Sequence, residues 1–451
     1  MTPHAEDAVA ARAPRPWKRA IGWLAFLGPF FYLSYGFANA MAGRRADVPS
    51  IVFDWEHAVP FLAWTILPYW TTNAFYAVSP FLARDRRELD TLGLRLLSVQ
   101  LLAVACFLLW PLAFSFERPA TDGFFGAMFD ALTSFDRPYN QAPSLHIALT
   151  VVLWAHYAKF LHGFWRRVLD VWFALVCVSI LTTFQHHFID LPTGIAAGWL
   201  CVWLWPERAD APWRNARWTD APERRRLAAL YLLGALACAA LAAHLGGVLL
   251  WAWWSALSLL LVACHYAFTG AAGFQKRADG RLSMASRWLH APYLLGARIN
   301  AWWWTRRAPA PVKVVDGVWL GGLQSKGGRD GFAVVDVCAE LSLPGGAQPG
   351  DAIVPMLDLA TPSLPSVLAA ADVIETLRRA DERVLVCCAL GYSRSALTIA
   401  AWLLRSGRAD SVDAAIARVR AARPGIVLRP RHAGVLHAIA ALGTLTSRGA
   451  R

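Results

Sequence analysis

The stretch Val384-Leu-Val-Cys-Cys-Ala-Leu-Gly-Tyr-Ser-Arg-Ser395 joins an apolar run to a segment with helical texture. The run ends at a cysteine, five residues follow, and an arginine and a serine open the helix. This layout builds an anion cradle: a strand-to-helix loop aims backbone N–H groups and a helix N-terminus at one point, where an arginine can grip two oxygens. Cys388 lies at the centre, where N–H dipoles and a guanidinium favour the thiolate and so a nucleophile near neutral pH. Such a site predicts a phosphocysteine intermediate. The bland alternative is a buried cysteine closing a core strand. The joint spacing of Cys388, Gly391, Arg394 and Ser395 weighs against it.

The flanking sequence reads as a soluble α/β domain over 312–445. Val312–Val315 and Val318–Leu320 flank Asp316-Gly317, a hairpin signal. Phe332–Cys338, Ile353–Leu357 and Arg383–Cys387 read as strands; Ser366–Arg379, Arg394–Ser406, Val412–Ala422 and Arg431–Leu442 read as helices. A small, largely parallel sheet covered by helices follows. A phosphocysteine reaction also needs a general acid that reaches over the cradle from another loop. Asp358, in Pro355-Met-Leu-Asp-Leu-Ala-Thr-Pro362, ends a predicted strand; Asp336 and Glu340 are the competing carboxylates.

These residues resemble the dual-specificity branch of the cysteine-dependent protein tyrosine phosphatase superfamily. The resemblance implies Cys388 as nucleophile, Arg394 and the loop at Gly391 as phosphate holders, Asp358 as general acid, and Ser395 as the hydroxyl that steadies the departing thiolate. That family usually has a histidine before the cysteine; this chain has Cys387.

The rest of the chain has a different texture. At 57% hydrophobic, with 23 tryptophans and 17% charged residues over 451 positions, it is too apolar for an ordinary soluble enzyme, and most of the excess precedes residue 270. The net charge of +13 does not indicate a nucleic-acid partner, because the arginines separate long apolar runs and line no single helical face. The eight cysteines show no paired metal-binding spacing and five fall in apolar runs, so no disulfide framework, metal or other cofactor is expected. A working thiol places the C-terminal part in a reducing compartment.

After a polar, basic flank at 1–20, apolar runs lie at Ile21–Met41, Pro60–Leu82, Leu92–Phe114, Ile147–Leu161, Val168–Phe184, Leu191–Trp205, Leu227–Ala243 and Val248–Phe268. They predict a polytopic helical bundle of about eight spans over 21–270. Alternate connections carry Arg12/Arg15/Lys18/Arg19, Arg84/Arg86/Arg87, Lys159/Arg166/Arg167, Arg208–Arg226 and Lys276/Arg277/Arg281. The others carry only Arg44, Arg45, Arg118 and Arg137. The positive-inside rule then puts both termini in the cytoplasm of a multi-pass protein, with a bacterial inner membrane as the expected location. Residues 271–311 form an interfacial linker, in which Trp288, Leu289, Tyr293, Ile299 and Trp302–Trp304 alternate with arginines. Ala308-Pro-Ala-Pro311 marks the boundary.

The apolar half carries chemistry of its own. Pro143-Ser-Leu-His146 opens the fourth span and His186-His-Phe-Ile-Asp190 the sixth, so His186 and Asp190 share a face if that turn is helical. An aspartate on one ring nitrogen readies the other as nucleophile or base, and ionisable groups at such depth are functional candidates. The set resembles the type 2 phosphatidic acid phosphatase superfamily, especially its lipid phosphotransferase branch. The resemblance implies His186 as the phosphoryl acceptor, Asp190 as its orienting group, His146 as the proton donor, Arg118 of Phe116-Glu-Arg-Pro119 as a phosphate holder and Ser144 as a hydroxyl donor. The family's lysine upstream of Arg-Pro is absent, Ile180 follows Ser179 where an arginine is usual, and Arg137 is the nearby candidate to replace a cation. Together the motifs predict a membrane phosphatase with two sites, acting on phosphorylated lipid in the bilayer. The rival reading is a protein phosphatase whose membrane half senses or anchors.

Overall fold

Strands β3 (Ala333–Cys338), apolar but for Asp336, and β5 (Val384–Cys388), apolar throughout, are buried along their whole length, the pattern of strands covered on both faces. The computed structural model pairs them in parallel, Ala333 with Val384 through Asp336 with Cys387. It describes residues 15–207, 211–307, 310–315, 317–324, 329–380 and 382–448. Arg12, Arg208, Ala308, Pro309 and Asp316 of the readings above lie outside them.

The chain divides into two compact units, Met1–Ala211 and Pro212–Arg451. In the second, β1 (Val312–Val315), β2 (Val318–Gly322) and β4 (Ala352–Met356) complete a sheet of order β1-β2-β5-β3-β4. The β1–β2 pair is antiparallel with Val315 opposite Val318, as the hairpin signal predicts, and the other pairs are parallel. Its helices are α8 (Pro222–Leu245), α9 (Ala252–Cys264), α10 (Met284–Leu289), α11 (Ala291–Thr305), α12 (Leu364–Arg379), α13 (Arg394–Arg405), α14 (Val412–Ala422) and α15 (Pro430–Arg448). Helix α13 follows β5 directly and is buried from Arg394 to Leu403, so its N-terminus is fixed beneath the β5 end. Ser363 and Ser411 cap α12 and α14 by accepting backbone N–H groups.

The hairpin α8–α9 belongs to this same unit. One apolar cluster joins Ala228 and Val262 of the hairpin to Val334 and Cys338 of β3 and to Leu357 just after β4. Helix α11 exposes Leu295, Ile299 and Trp302–Trp304 while burying Leu294 and Ala301.

The first unit is helical: α1 (Trp17–Ala42), α2 (Ile66–Leu82), α3 (Arg86–Leu109), α4 (Gly123–Thr133), α5 (Leu145–Tyr157), α6 (Gly163–Thr182) and α7 (Asp190–Leu204). Each predicted apolar run contains a helix. By length and composition, four helical stretches among the described residues can cross a membrane: Trp17–Ala42, Arg86–Leu109, Pro222–Leu245 and Gly247–Phe274. Close approach of α5 and α7 sets the first unit's interior. A Cβ on Gly198 would lie 2.7 Å from Val151 Cβ and one on Gly194 2.7 Å from the Ser144 carbonyl, so the Gly194-x-x-x-Gly198 stripe lets two backbones meet. That contact brings the N-terminal ends of α5 and α7 together.

Candidate active sites

In the second unit, β5 delivers Cys388 to a loop closed by α13. The Gly391 N–H points at Cys388 Sγ (3.3 Å), and Ser395 Oγ lies 3.3 Å from the same sulfur. Gly391 takes φ +76°, and a Cβ there would sit 2.6 Å from Gly321, so the turn requires glycine. Leu323 N–H donates to the Cys388 carbonyl, and Arg423 donates to the Gly391 carbonyl (3.3 Å), holding the loop from both sides.

Arg394 is buried beside this loop. It donates to both carboxylate oxygens of Glu340 (2.8 and 2.7 Å) and to the Met356 carbonyl (2.8 Å), and its Nη2 lies 3.0 Å from Asp358 Oδ1. The fork-to-fork pair fixes the plane of the guanidinium. Burial pushes the Glu340 carboxyl up, but the Arg394 charge and its hydrogen bonds outweigh this and hold it below its ordinary value. Glu340 is therefore no proton donor; it is the arginine's clamp, a partnership fixed by the fold because 54 residues separate the two. Asp336, the other competitor, is buried against Lys276 and is equally removed from that role. Burial pushes the Asp358 carboxyl above its ordinary value against the pull of Arg394, and Glu340's charge adds to the rise. A carboxyl held protonated to higher pH is what acid catalysis asks for.

In the first unit, the structure assembles most of the second predicted set. His186 Nδ1 lies 3.0 Å from Asp190 Oδ2, and its Nε2 is 3.3 Å from Ser144 Oγ. His186 is not helical, since α7 begins at Asp190. The pair forms because the turn before it is held by Gln185 and His186 N–H bonds to the Ile180 carbonyl and by Phe184 at φ +53°. His146, within electrostatic range of His186, stacks on Tyr69 at 4.0 Å and bonds Thr72 Oγ1 at 3.0 Å. Arg118 lies over the Phe129 ring at 4.8 Å, and neither its buried Nε nor Asp190 Oδ1 has a hydrogen-bond partner among the described residues. Arg137 is exposed, and no described contact joins it to the histidines. Its neighbour Asp136 is the group within electrostatic range of His186, bonded by the Tyr35 hydroxyl at 2.8 Å. Ile180 is fully buried.

Sequence reading missed a further relay: Glu56 Oε2 accepts at 3.1 Å from His187 Nδ1, and His187 Nε2 meets the Ser115 N–H and hydroxyl at 3.1 and 3.0 Å. It ties the loop bearing Arg118 to the residue next to His186. No periodicity signals a pairing over 131 positions.

Residues 350–440 match the family described as dual specificity phosphatase, catalytic domain. Among solved structures, the chain is similar to a mouse dual specificity phosphatase complexed with zinc tungstate at 26% identity, over 31% of this chain and 91% of that one, TM-score 0.28. Human DUSP28 matches at 27% identity over 30% of this chain and 99% of its own, TM-score 0.27. PTPMT1 in complex with PI(5)P matches at 19% identity over 30% and 97%, TM-score 0.27. No curated protein matches the chain. A phosphatase catalytic domain thus occupies the C-terminal part, after a mostly helical region with apolar helices of membrane-crossing length.

Proposed function

We propose that this chain is an integral membrane phosphatase whose cysteine site hydrolyses phosphate monoesters on lipid headgroups at the cytoplasmic surface. The observation that carries the reading is Arg394, clamped by Glu340 beside Cys388 and within 3.0 Å of Asp358. The Cys388 thiolate attacks phosphorus as the bond to the leaving oxygen breaks, and Asp358 gives that oxygen its proton. Water then attacks the phosphocysteine, Asp358 takes a proton back, and the sulfur leaves as thiolate with the Ser395 hydroxyl donating to it. Arg394 and the loop N–H groups, Gly391 among them, hold the phosphoryl oxygens throughout. The lipid assignment rests on the α8–α9 hairpin and the exposed tryptophans of α11, which belong to the same compact unit as the site.

The membrane unit is proposed as a second, phosphohistidine site, with His186 as acceptor, Asp190 on its other nitrogen, His146 as proton donor and Arg118 and Ser144 at the phosphate. By the charge pattern it faces the opposite side of the bilayer. One observation favours a non-catalytic membrane half instead: Ile180 is buried where a phosphate-binding cation would stand. Purified protein with Cys388→Ser or His186→Ala, assayed on a phosphorylated lipid and on a phosphotyrosine peptide, separates the readings. Two-site action predicts that each variant loses part of the lipid turnover. Lipid turnover that ignores His186→Ala leaves the membrane half an anchor, and full activity in Cys388→Ser removes the cysteine site.

A further inference from the structure

The Asp358 loop is gripped from two sides, one of them outside the matched segment 350–440. After α9 the chain makes a single π-helical turn, His265–Thr269, a feature that often marks functional positions. There Tyr266, 1% exposed, donates its hydroxyl to the Asp358 carbonyl at 2.9 Å. Its ring stacks on Tyr231 of α8 (5.4 Å, 20°), and Tyr231 meets Tyr293 of α11 edge-on at 5.8 Å. From the other side Arg431 of α15 donates to the Leu359 carbonyl at 3.0 Å. Between the two anchors Leu359 takes φ +55° with its side chain 55% exposed. A leucine adopts that backbone only where its surroundings enforce it.

A second hold lies one turn further along the chain. The Lys276 ammonium is buried 2.5 Å from the Asp336 carboxylate and 2.6 Å from the Cys338 carbonyl. Asp336 is the sheet partner of Cys387, next to the nucleophile. Both contacts come from the residues that follow α9, and Tyr266 in turn stacks on Tyr231 of the hairpin, so the apolar hairpin and the segment after it brace the acid loop and β3 beside the cradle.

We propose that the α8–α9 hairpin is a working part of the cysteine site, with Tyr266 as the positioning residue that sets the Asp358 carboxyl against the leaving oxygen. The inference rests on the cysteine-site reading above. Fixing the carbonyl of Asp358 fixes the peptide that carries its side chain, so the proton is delivered along one direction when the P–O bond breaks. Loss of the phenolic oxygen frees the loop without touching Cys388 or Arg394. It therefore slows only reactions whose leaving group needs the proton.

The test uses the full-length chain in lipid nanodiscs, in a His186→Ala background, with two soluble monoesters. Octyl phosphate expels a poor leaving group, and 2,4-dinitrophenyl phosphate one that departs unaided. Tyr266→Phe is expected to lower kcat on octyl phosphate about tenfold, equivalent to about 1.4 kcal/mol. It should leave the dinitrophenyl ester within about twofold and flatten the basic limb of the octyl phosphate pH profile. Tyr231→Phe, which removes a hydroxyl from the same cluster without a bond to the loop, is the matched control and should show no such selectivity. Leu359→Gly, on the exposed side of the loop, is the second variant and should reproduce the selective loss by releasing the same backbone. Equal loss on both esters would mean a structural role only, and unchanged rates in Tyr266→Phe and Leu359→Gly would overturn the proposal outright. Turnover that persists in Cys388→Ser would instead remove the reading beneath it.

Discussion

The two candidate sites differ in how completely a cation that could hold a phosphoryl group is fixed. In the cysteine site the cation is held by a carboxylate: both Nη atoms of Arg394 are bonded to Glu340, although its buried Nε has no partner among the described residues, and the backbone around Cys388 is pinned by Leu323 and Arg423. In the membrane site the orienting pair is present, His186 on Asp190, yet Arg118 rests on a phenylalanine ring and Ile180 adds no charge. Stabilising charge as it develops in the transition state is usually the largest catalytic term, and it demands donors fixed in advance. On the two-site proposal, the contrast predicts the stronger hydrolytic activity at Cys388. A buried salt bridge fixes one cation, whereas an aromatic face merely shelters the other.

The largest effect that would sharpen this contrast is loss of the proton donor. Asp358→Asn should lower kcat on an alkyl phosphate by roughly 100- to 10,000-fold, the usual span for acid–base catalysis, while sparing turnover that depends on His186. Because burial raises the Asp358 carboxyl, the acid form persists above the ordinary aspartate range. Wild-type activity should then fall as pH rises through that raised value. The asparagine variant should show no such limb, and a pH profile identical to wild type would break the assignment.

Next comes the clamp. Glu340→Gln leaves the Arg394 charge buried without its counter-ion, a loss of the order of 3–5 kcal/mol, visible as a lower thermal midpoint in detergent together with weaker phosphate binding. The unfolding transition of the second unit should move most. A variant as stable as wild type would mean that Arg394 is held by Met356 and Asp358 alone. Smallest is the helix contact of the first unit. Gly198→Val drives a side chain into Val151 and the Ala148 carbonyl, an overpacking cost of about 1–3 kcal/mol. It should separate α5 from α7 and reduce His186-dependent turnover, with the cysteine site unchanged. Equal loss at both sites would erase the distinction between the units.

The legible parts share a cause. Strands β3 and β5, the turn at Gly317, the cradle at Cys388–Ser395 and the apolar helices are written in local periodicity and short motifs, because backbone conformation and burial follow neighbours a few residues apart. The His186–Asp190 pair was visible from its spacing, although the turn that closes it is not helical. Glu340 was read as a rival acid because a strand-end carboxylate carries no mark of its partner. Tyr266, Lys276 and Glu56 had no signal at all, since each acts across 60 to 131 positions.

By itself, then, the sequence determined which residue types stand ready: a thiol before an arginine, two histidines at helix entries, apolar lengths that match a bilayer. Only the tertiary structure decided which charges meet. Coulombic and hydrogen-bonding partners are chosen by distance in space, and burial makes that choice decisive by removing water as the alternative partner. Glu340 became the two-pronged clamp of Arg394, and Asp358 meets the same guanidinium through one oxygen, for that reason. The apolar hairpin reaches the Asp358 loop through the same long-range pairing, Tyr231 on Tyr266 and Tyr266 on the Asp358 carbonyl.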